Sequence, residues 1–450
     1  MADSPRTIAE LARAIRARDL TAEAATERCL GRIAERNPSL NAYITVFGDQ
    51  ALAQAKQADA ELARGHDRGP LHGVPLSLKD LFDVRGVATT AASKVRAGHV
   101  AADDAPVVAR LRDAGAVFLG KTNLHEFAFG TTNEDSAFGA VRHPLDPNRS
   151  PGGSSGGSAA AVMDGQSYAS IGTDTGGSIR IPSAVCGLVG LKPSLGEVPV
   201  EGVVPLSTTM DHVGPLCRSV EDAGIVLDVL RGRTGARPPR TANGLRVGVL
   251  RGYFTALLDP QVAAAFEGTC EALTKAGADL EDVEIPHAGD IAPIYLHIVL
   301  AEAAAFHAKT LDSHADDYTP NVRIRLEMGR YILAEDYVRA LRGREVLIEE
   351  VDAALEHRDV LLLPSLPVAA VRLGAAAVKI GAVEEPVRNI TLKLTQLFNV
   401  TGHPAITVPN GATTEGLPIG VQLVAVRGHS DDLLSVAAAV EALVHLPAGW

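Results

Sequence analysis

The apolar positions at the start of the chain fall at helical spacing. Ile8, Leu11, Ala12 and Ile15 share one helix face, and a second helix follows Thr21 as its N-cap and stops near Asn37-Pro38. Residues 42–46 alternate as a strand, and an alanine-rich helix then ends at Gly65. Leu76 and Leu78 alternate with Ser77 and Lys79, which sets Lys79 near the end of a strand with Leu81 and Phe82 just beyond it. Residues 103–114 read as a helix with Pro106 in its first turn and Gly115 after its end, and 116–119 as the next strand. An apolar segment follows at 159–163, a strand-like run at 168–172 and a short helix at 181–187 that VGLKPS (189–194) closes. Ser219 and Asp222 form a capping box for a helix reaching Leu230.

Residues 232–244 (GRTGARPPRTANG) have no periodicity and read as a linker. The pattern then restarts as strand (245–250), helix (262–275) and strand (280–285), a βαβ signal. Residues 292–357 are mostly helical. Strands follow at 360–363, 406–408 and 419–424, the last two spaced as a hairpin, and Ser430 with Asp431 and Asp432 caps a closing helix. No internal repeat interrupts this order. It predicts one α/β domain over residues 1–450 with a mixed sheet and a helical subregion.

One stretch departs from packing logic. Residues 150–180 carry two glycine-serine turns, GGSSGGS (152–158) and GGS (176–178), each abutting small apolar residues rather than polar linker sequence. Glycine is needed where a backbone approaches a substrate closely or aims several N–H groups at one anion, and a serine in such a turn is a candidate nucleophile. The four N–H groups of Thr175, Gly176, Gly177 and Ser178 suit an oxyanion nest. Both Gly152–Gly156 and Gly153–Gly157 satisfy G-x-S-x-G, but proline-rich sequence (143–150) stands where the nucleophile elbow requires a strand. No GK[ST] follows either turn, which argues against a phosphate cradle.

GGSSGGS followed by GTDTGGSIRIPS (172–183), with VPLSLKD (74–80) upstream, resembles the amidase signature family. The resemblance is densest from about residue 71 to 215. It implies a largely parallel twisted sheet covered by helices on both faces, with a catalytic core at about 65–230 and a variable substrate-binding helical segment at about 290–357. It implies C–N bond hydrolysis through an acyl-enzyme, with Ser178 as nucleophile, Ser154 as bridging serine after a cis peptide and Lys79 as base. Ser155 would be a supporting hydrogen-bonder. Asp174 and Arg180 flank the nucleophile, with Arg180 expected to organise the loop. The loop 124–139 (LHEFAFGTTNEDSAFG) would lie beside the reaction centre, so Phe129, Gly130 and Thr131, together with Tyr295 and Phe306 from the helical segment, are candidate pocket residues.

A small amide, carbamate or ester is the expected substrate, and the apolar character of 124–138 and 294–306 favours a neutral one. The alternative is the glutaminase subunit of a tRNA-dependent amidotransferase, which would need partner subunits. Free glutamine carries an ammonium that calls for a carboxylate, and residues 387–409 contain no Asp or Glu.

Composition narrows the picture a little further. The net charge of −12 without a basic face disfavours a nucleic-acid partner. The four cysteines (Cys29, Cys186, Cys217, Cys270) are scattered and read as buried and reduced. The fourteen histidines form no metal-ligand pattern, so neither metal nor cofactor is expected. With no signal-peptide pattern and no apolar run read as long enough to span a membrane, the expectation is a cytoplasmic monomer or homodimer.

Overall fold

Alternate residues of one strand divide between two cores. Val360 and Leu362 pack into one apolar cluster and Leu361 and Leu363 into another, because successive strand side chains point to opposite faces. The computed structural model describes residues 5–444 and places this strand in an eleven-stranded sheet. The order across it is Tyr43–Val46, Val117–Thr122, Pro75–Lys79, Ala169–Asp174, His212–Cys217, Val189–Lys192, Ala405–Ala412, Pro418–Val424, Val360–Pro364, Arg246–Leu250 and Asp279–Val283. Parallel ladders form two blocks, one around Pro75–Lys79 and one around Arg246–Leu250. The strands between the blocks alternate in direction, including the expected hairpin of Ala405–Ala412 with Pro418–Val424.

Helices cover both faces. The helices Ile8–Ala17, Ala22–Leu40, Gly48–Ala63, Val220–Arg231, Pro260–Lys275 and Ser430–Glu441 contribute to the first core. The helices Ile291–His314, Pro320–Gly329, Ala334–Leu355 and Gln396–Val400 contribute to the second. All four cysteines are buried and free.

Several local expectations give way to tertiary context. VGLKPS does not close a helix: Val189–Lys192 is a fully buried strand between His212–Cys217 and Ala405–Ala412. Strand His212–Cys217 has no counterpart among the expected elements, and it carries Pro215, a residue unfavourable in a central strand. It is tolerated because the ladder to Val189–Lys192 covers only Leu216 and Cys217, so Pro215 falls beyond that ladder. The second helix runs through Pro38 to Leu40 and ends on Asn41 at φ 56°. Ser219 caps its helix through the Asp222 N–H, but the Asp222 carboxylate instead accepts from the Ile8 and Ala9 N–H groups, tying helix Ile8–Ala17 to helix Val220–Arg231. Ser430 begins the closing helix after N-cap His429 rather than capping it.

The membrane expectation also needs correction at one place. Residues Ala288–Asp317 are long and apolar enough by composition to cross a membrane. In the fold, Tyr295, Ile298, Val299, Leu300 and Leu311 of this stretch pack into the second core, which is the position of a core helix.

Candidate active site

Two adjacent parallel strands bring the sequence motifs together. Pro75–Lys79 and Ala169–Asp174 pair with Leu78 opposite Ile171, so Lys79 and Asp174 lie at the carboxyl ends of neighbouring strands. Loops that leave this edge of a parallel sheet are where α/β folds gather ligand-binding groups. Helix Gly156–Met163 starts at the same edge and presents Ser154 and Ser155 just before its first turn, with a cis peptide between Gly153 and Ser154. The segment read as a glycine-serine turn is thus partly a loop and partly the beginning of that helix.

Lys79 is fully buried and donates from Nζ to Ser154 Oγ and to Thr173 Oγ1, each at 2.8 Å. Burial brings its pKa down to about 7, while the more distant Asp174 and Asp211 carboxylates resist that fall. Near neutral pH about half of such a lysine is unprotonated, which is what a base needs. The neighbouring Asp80 does not pair with it. Asp80 takes Lys121 instead, Nζ to Oδ1 at 2.8 Å with both side chains buried.

Asp174 and Arg180 form a buried ion pair that brackets residues 175–178 in sequence. Arg180 meets Asp174 through Nε and Nη2 at 3.0 and 2.9 Å and donates to Thr395 O, Gln422 Oε1 and Asn399 Oδ1. Asp174 Oδ2 also accepts the Ile179 and Arg180 N–H groups. Burial opposes its charge, but the Arg180 guanidinium holds its carboxyl well below the usual carboxylate range. Arg180 therefore fixes the loop and is too fully engaged to serve a substrate.

The preceding N–H groups behave differently. Among the described residues, those of Thr175, Gly176, Gly177 and Ser178 donate to no acceptor. Amides left free beside a serine could serve a developing oxyanion. Gly177 sits at φ 137°, open only to glycine, and a Cβ there would lie 2.3 Å from Thr395 Oγ1. Thr395 Oγ1 donates to Gly176 O at 2.5 Å and Thr175 Oγ1 donates to Asp211 Oδ1 at 2.5 Å, so both sides of the turn are tethered. Burial pushes the Asp211 carboxyl up to about 6 despite that bond. Ser178 is 5% exposed, and its carbonyl accepts the Ser155 N–H at 3.3 Å. Ser155 Oγ donates at 3.2 Å to the carbonyl of Thr173, the residue whose hydroxyl accepts from Lys79.

The pocket residues separate. Tyr295 reaches the 175–178 turn: a Cβ on Gly176 would meet its Oη at 2.5 Å. Phe129 is buried, with its carbonyl accepting from Arg325 Nη1 at 2.6 Å. Thr131 Oγ1 accepts from Thr391 Oγ1 at 3.0 Å, and Gly130 lies so close to the His125 imidazole that a Cβ would overlap it at 2.1 Å. Phe306 is corrected as a pocket residue. It is 45% exposed and stacks edge-on against His307, three helical turns and roughly 16 Å along the axis from Tyr295.

Thr173 lies inside the motif 172–183 without an assigned role, and Asp211, Thr395, Asn399, Arg325 and Arg388 lie outside the motifs. Thr173 is within their reach, since it adjoins Asp174 and directly follows the strand-like run 168–172. The others lie far from the motifs in sequence and arrive by folding alone.

The tight Gly176–Tyr295 approach carries a prediction. Gly176→Ala is expected to lower kcat by about 10–100-fold, because the turn or the tyrosine must shift from catalytic geometry. Tyr295→Phe removes the nearest clashing atom and should restore part of that loss in the double variant, measured as a double-mutant cycle.

A family model described as Amidase matches residues 24–434. The chain is 42% identical over 428 residues to an amidase of Pseudomonas putida, covering 91% of this chain and 90% of that protein. It is 38% identical over 470 residues to a glutamyl-tRNA(Gln) amidotransferase subunit of Koribacter versatilis (strain Ellin345), covering 95% of this chain and 96% of that one. A crystal structure of an amidase superposes with a TM-score of 0.93 at 37% identity, covering 98% of this chain and all of that one (100%). With motif, fold and site geometry in agreement, the chain belongs to the amidase family and is a hydrolase of non-peptide carbon–nitrogen bonds.

Proposed function

We propose that the protein hydrolyses small carboxamides by itself, through an acyl-enzyme on Ser178. The observation that carries this reading is the buried Lys79, its pKa near 7, in hydrogen-bond contact with Ser154. Neutral Lys79 takes the Ser154 hydroxyl proton as Ser154 takes that of Ser178. Ser178 Oγ forms a bond to the substrate carbonyl carbon, and the oxyanion falls to the free amides of residues 175–178. The proton returns through Ser154 to the leaving nitrogen, the C–N bond breaks, and water resolves the ester by the same relay.

In this reading residues 65–230 carry the chemistry, while 290–357 shape the pocket through Tyr295 and Arg325 rather than Phe306. Carbamates and esters share the carbonyl geometry and belong in the same test. The substrate is a small molecule, with no nucleic acid or membrane required, and the protein works as a monomer or homodimer. The relatives that belong to amidotransferases raise a glutaminase reading, but residues 387–409 offer no carboxylate for the glutamine ammonium.

A panel of aryl amide, carbamate, ester and free glutamine, assayed with the purified chain alone, tests the proposal. Turnover of amides without glutaminase activity is expected. Ammonia release from glutamine alone, at rates above those for every amide, would favour the glutaminase reading. Light scattering of the same sample checks the oligomeric state.

A further inference from the structure

The helix Ile291–His314 is connected to the 175–178 turn at two places. Tyr295 meets the turn directly, at Gly176. Glu302 follows seven residues later, two turns and roughly 10 Å farther along the same face. Its carboxylate meets the loop that leads into strand His212–Cys217. Ser207 Oγ donates to Glu302 Oε2 at 2.5 Å, the Thr209 N–H to Oε2 at 3.2 Å and Thr209 Oγ1 to Oε1 at 2.8 Å. Tyr337 Oη, from helix Ala334–Leu355, donates to Oε1 at 2.9 Å, and Arg344 of that helix donates to the Thr209 carbonyl at 3.2 Å. Two helices of the segment 290–357 thus hold the loop at residues 207 and 209.

The loop hands that grip on to the turn. Asp211 accepts the Leu206 N–H at 2.9 Å and the Ser207 N–H at 3.1 Å, and the same carboxylate accepts from Thr175 Oγ1 at 2.5 Å. Ser207 is therefore shared: its N–H belongs to Asp211 and its hydroxyl to Glu302. The path runs without a gap from Glu302 through Ser207 and Asp211 to Thr175. The turn needs such support, because the N–H groups of residues 175–178 donate to no acceptor among the described residues and so do nothing to hold it. Docking the helix does not call for the carboxylate. Ile298, Val299, Leu300 and Ala303 of the same helix already pack into the second core. A partly buried carboxylate costs free energy that an apolar side chain would not, and the charge-assisted hydrogen bonds that offset it all come from the loop and from Tyr337.

We propose that Glu302 is a positioning residue for the 175–178 turn, so that the helical segment lining the pocket also sets the rate of turnover. This rests on the Ser178 amidase reading and extends it to a residue that touches neither substrate nor reacting atoms. Loss of the Glu302 carboxylate frees residues 207 and 209, and with them Asp211 and the hydroxyl of Thr175, whose N–H is offered to the oxyanion. A displacement of about 1 Å at such a group costs on the order of 100-fold in rate even when its cause is remote. Glu302 lies outside residues 71–215, where the resemblance is densest, and the resemblance gives its segment substrate choice alone. Its hold on the turn exists only in the folded contacts.

The test compares wild type with Glu302→Gln, Glu302→Ala, Thr175→Val and the double variant Glu302→Gln/Thr175→Val. Turnover of 4-nitroacetanilide and 4-nitrophenyl acetate gives kcat and KM, and hydrogen exchange of the peptides spanning 174–180 and 205–211 gives a readout independent of activity. Glu302→Gln should lower kcat by about 10-fold and Glu302→Ala by more, with KM within about threefold of wild type for both. Thr175→Val should cost a similar factor, and the double variant should fall no more than about threefold below the worse single one, because both changes cut the same path. Both peptides should exchange faster in Glu302→Gln. Losses that multiply in the double variant, a KM that rises at unchanged kcat, or faster exchange confined to 205–211 overturns the proposal. Should Glu302→Ala not fold, Glu302→Gln keeps the shape of the side chain and decides. The amidase reading fails separately, if wild type cleaves neither probe nor any amide while the exchange pattern stands.

Discussion

Ser178→Ala is expected to lower hydrolysis of every substrate by about 10⁴-fold or more while the protein keeps its melting temperature within a few degrees. The hydroxyl is the only atom of this side chain assigned to chemistry. Its backbone holds the turn through the Ser155 N–H at 3.3 Å, and the free amides of 175–178 do not depend on the side chain. The variant therefore keeps substrate binding and loses bond formation. A fluorophosphonate should label wild-type protein once, at Ser178, as read by peptide mass mapping. Stoichiometric label on Ser155 or Ser154, or a Ser178→Ala variant with more than a tenth of wild-type activity, would overturn the assignment.

The second large effect belongs to Lys79. Lys79→Ala is expected to reduce kcat by several orders of magnitude, since it removes the proton acceptor behind Ser154. The wild-type profile supplies the sign. Only the neutral lysine is a base, and its pKa lies near 7, so kcat/KM should climb with pH below about 7 and flatten above it. Asp211 acts on that lysine at a distance by favouring its charged form. Asp211→Asn should therefore move the rising limb to lower pH, a shift that mere loosening of the loop would not cause. Rates that are flat from pH 6 to 9, in kcat and in kcat/KM, would remove Lys79 from the base role. An Asp211→Asn limb displaced to higher pH would contradict the electrostatic coupling.

Stability has the same origin with a different reach. A lysine whose pKa is lowered in the folded state binds fewer protons there than in the unfolded chain between about 7 and its ordinary value. The penalty for burying it is thus fully present below pH 7 and eases as pH rises through that window. In the proposed mechanism the same burial is what makes Lys79 a base.

What is readable in advance of the fold is local. The helix at Ile8–Ala17, the capping role of Ser219, the strand under Lys79 and the βαβ unit at Arg246–Val283 all follow from short-range periodicity and cap chemistry, which neighbours in sequence determine. The glycine-serine motifs are also readable as candidates for chemistry, because residues 152–158 and 172–183 combine glycines with hydroxyls, although the fold shows that close packing demands several of those glycines as well, Gly157 against Asn123 O among them. The sheet order is not readable. Residues 189–192 and 212–217 are strands because each finds a partner distant in sequence, and no local signal reports that partner. The same holds for the pocket. Tyr295 and Phe306 lie on one face of one helix and look alike in sequence, yet only Tyr295 meets Gly176, because the pitch of the helix carries Phe306 past the site. By itself the sequence determined which groups could do chemistry. Which of them meet and how far burial lowers the lysine were decided by tertiary structure, since desolvation and long-range contact exist only once the chain has closed around them.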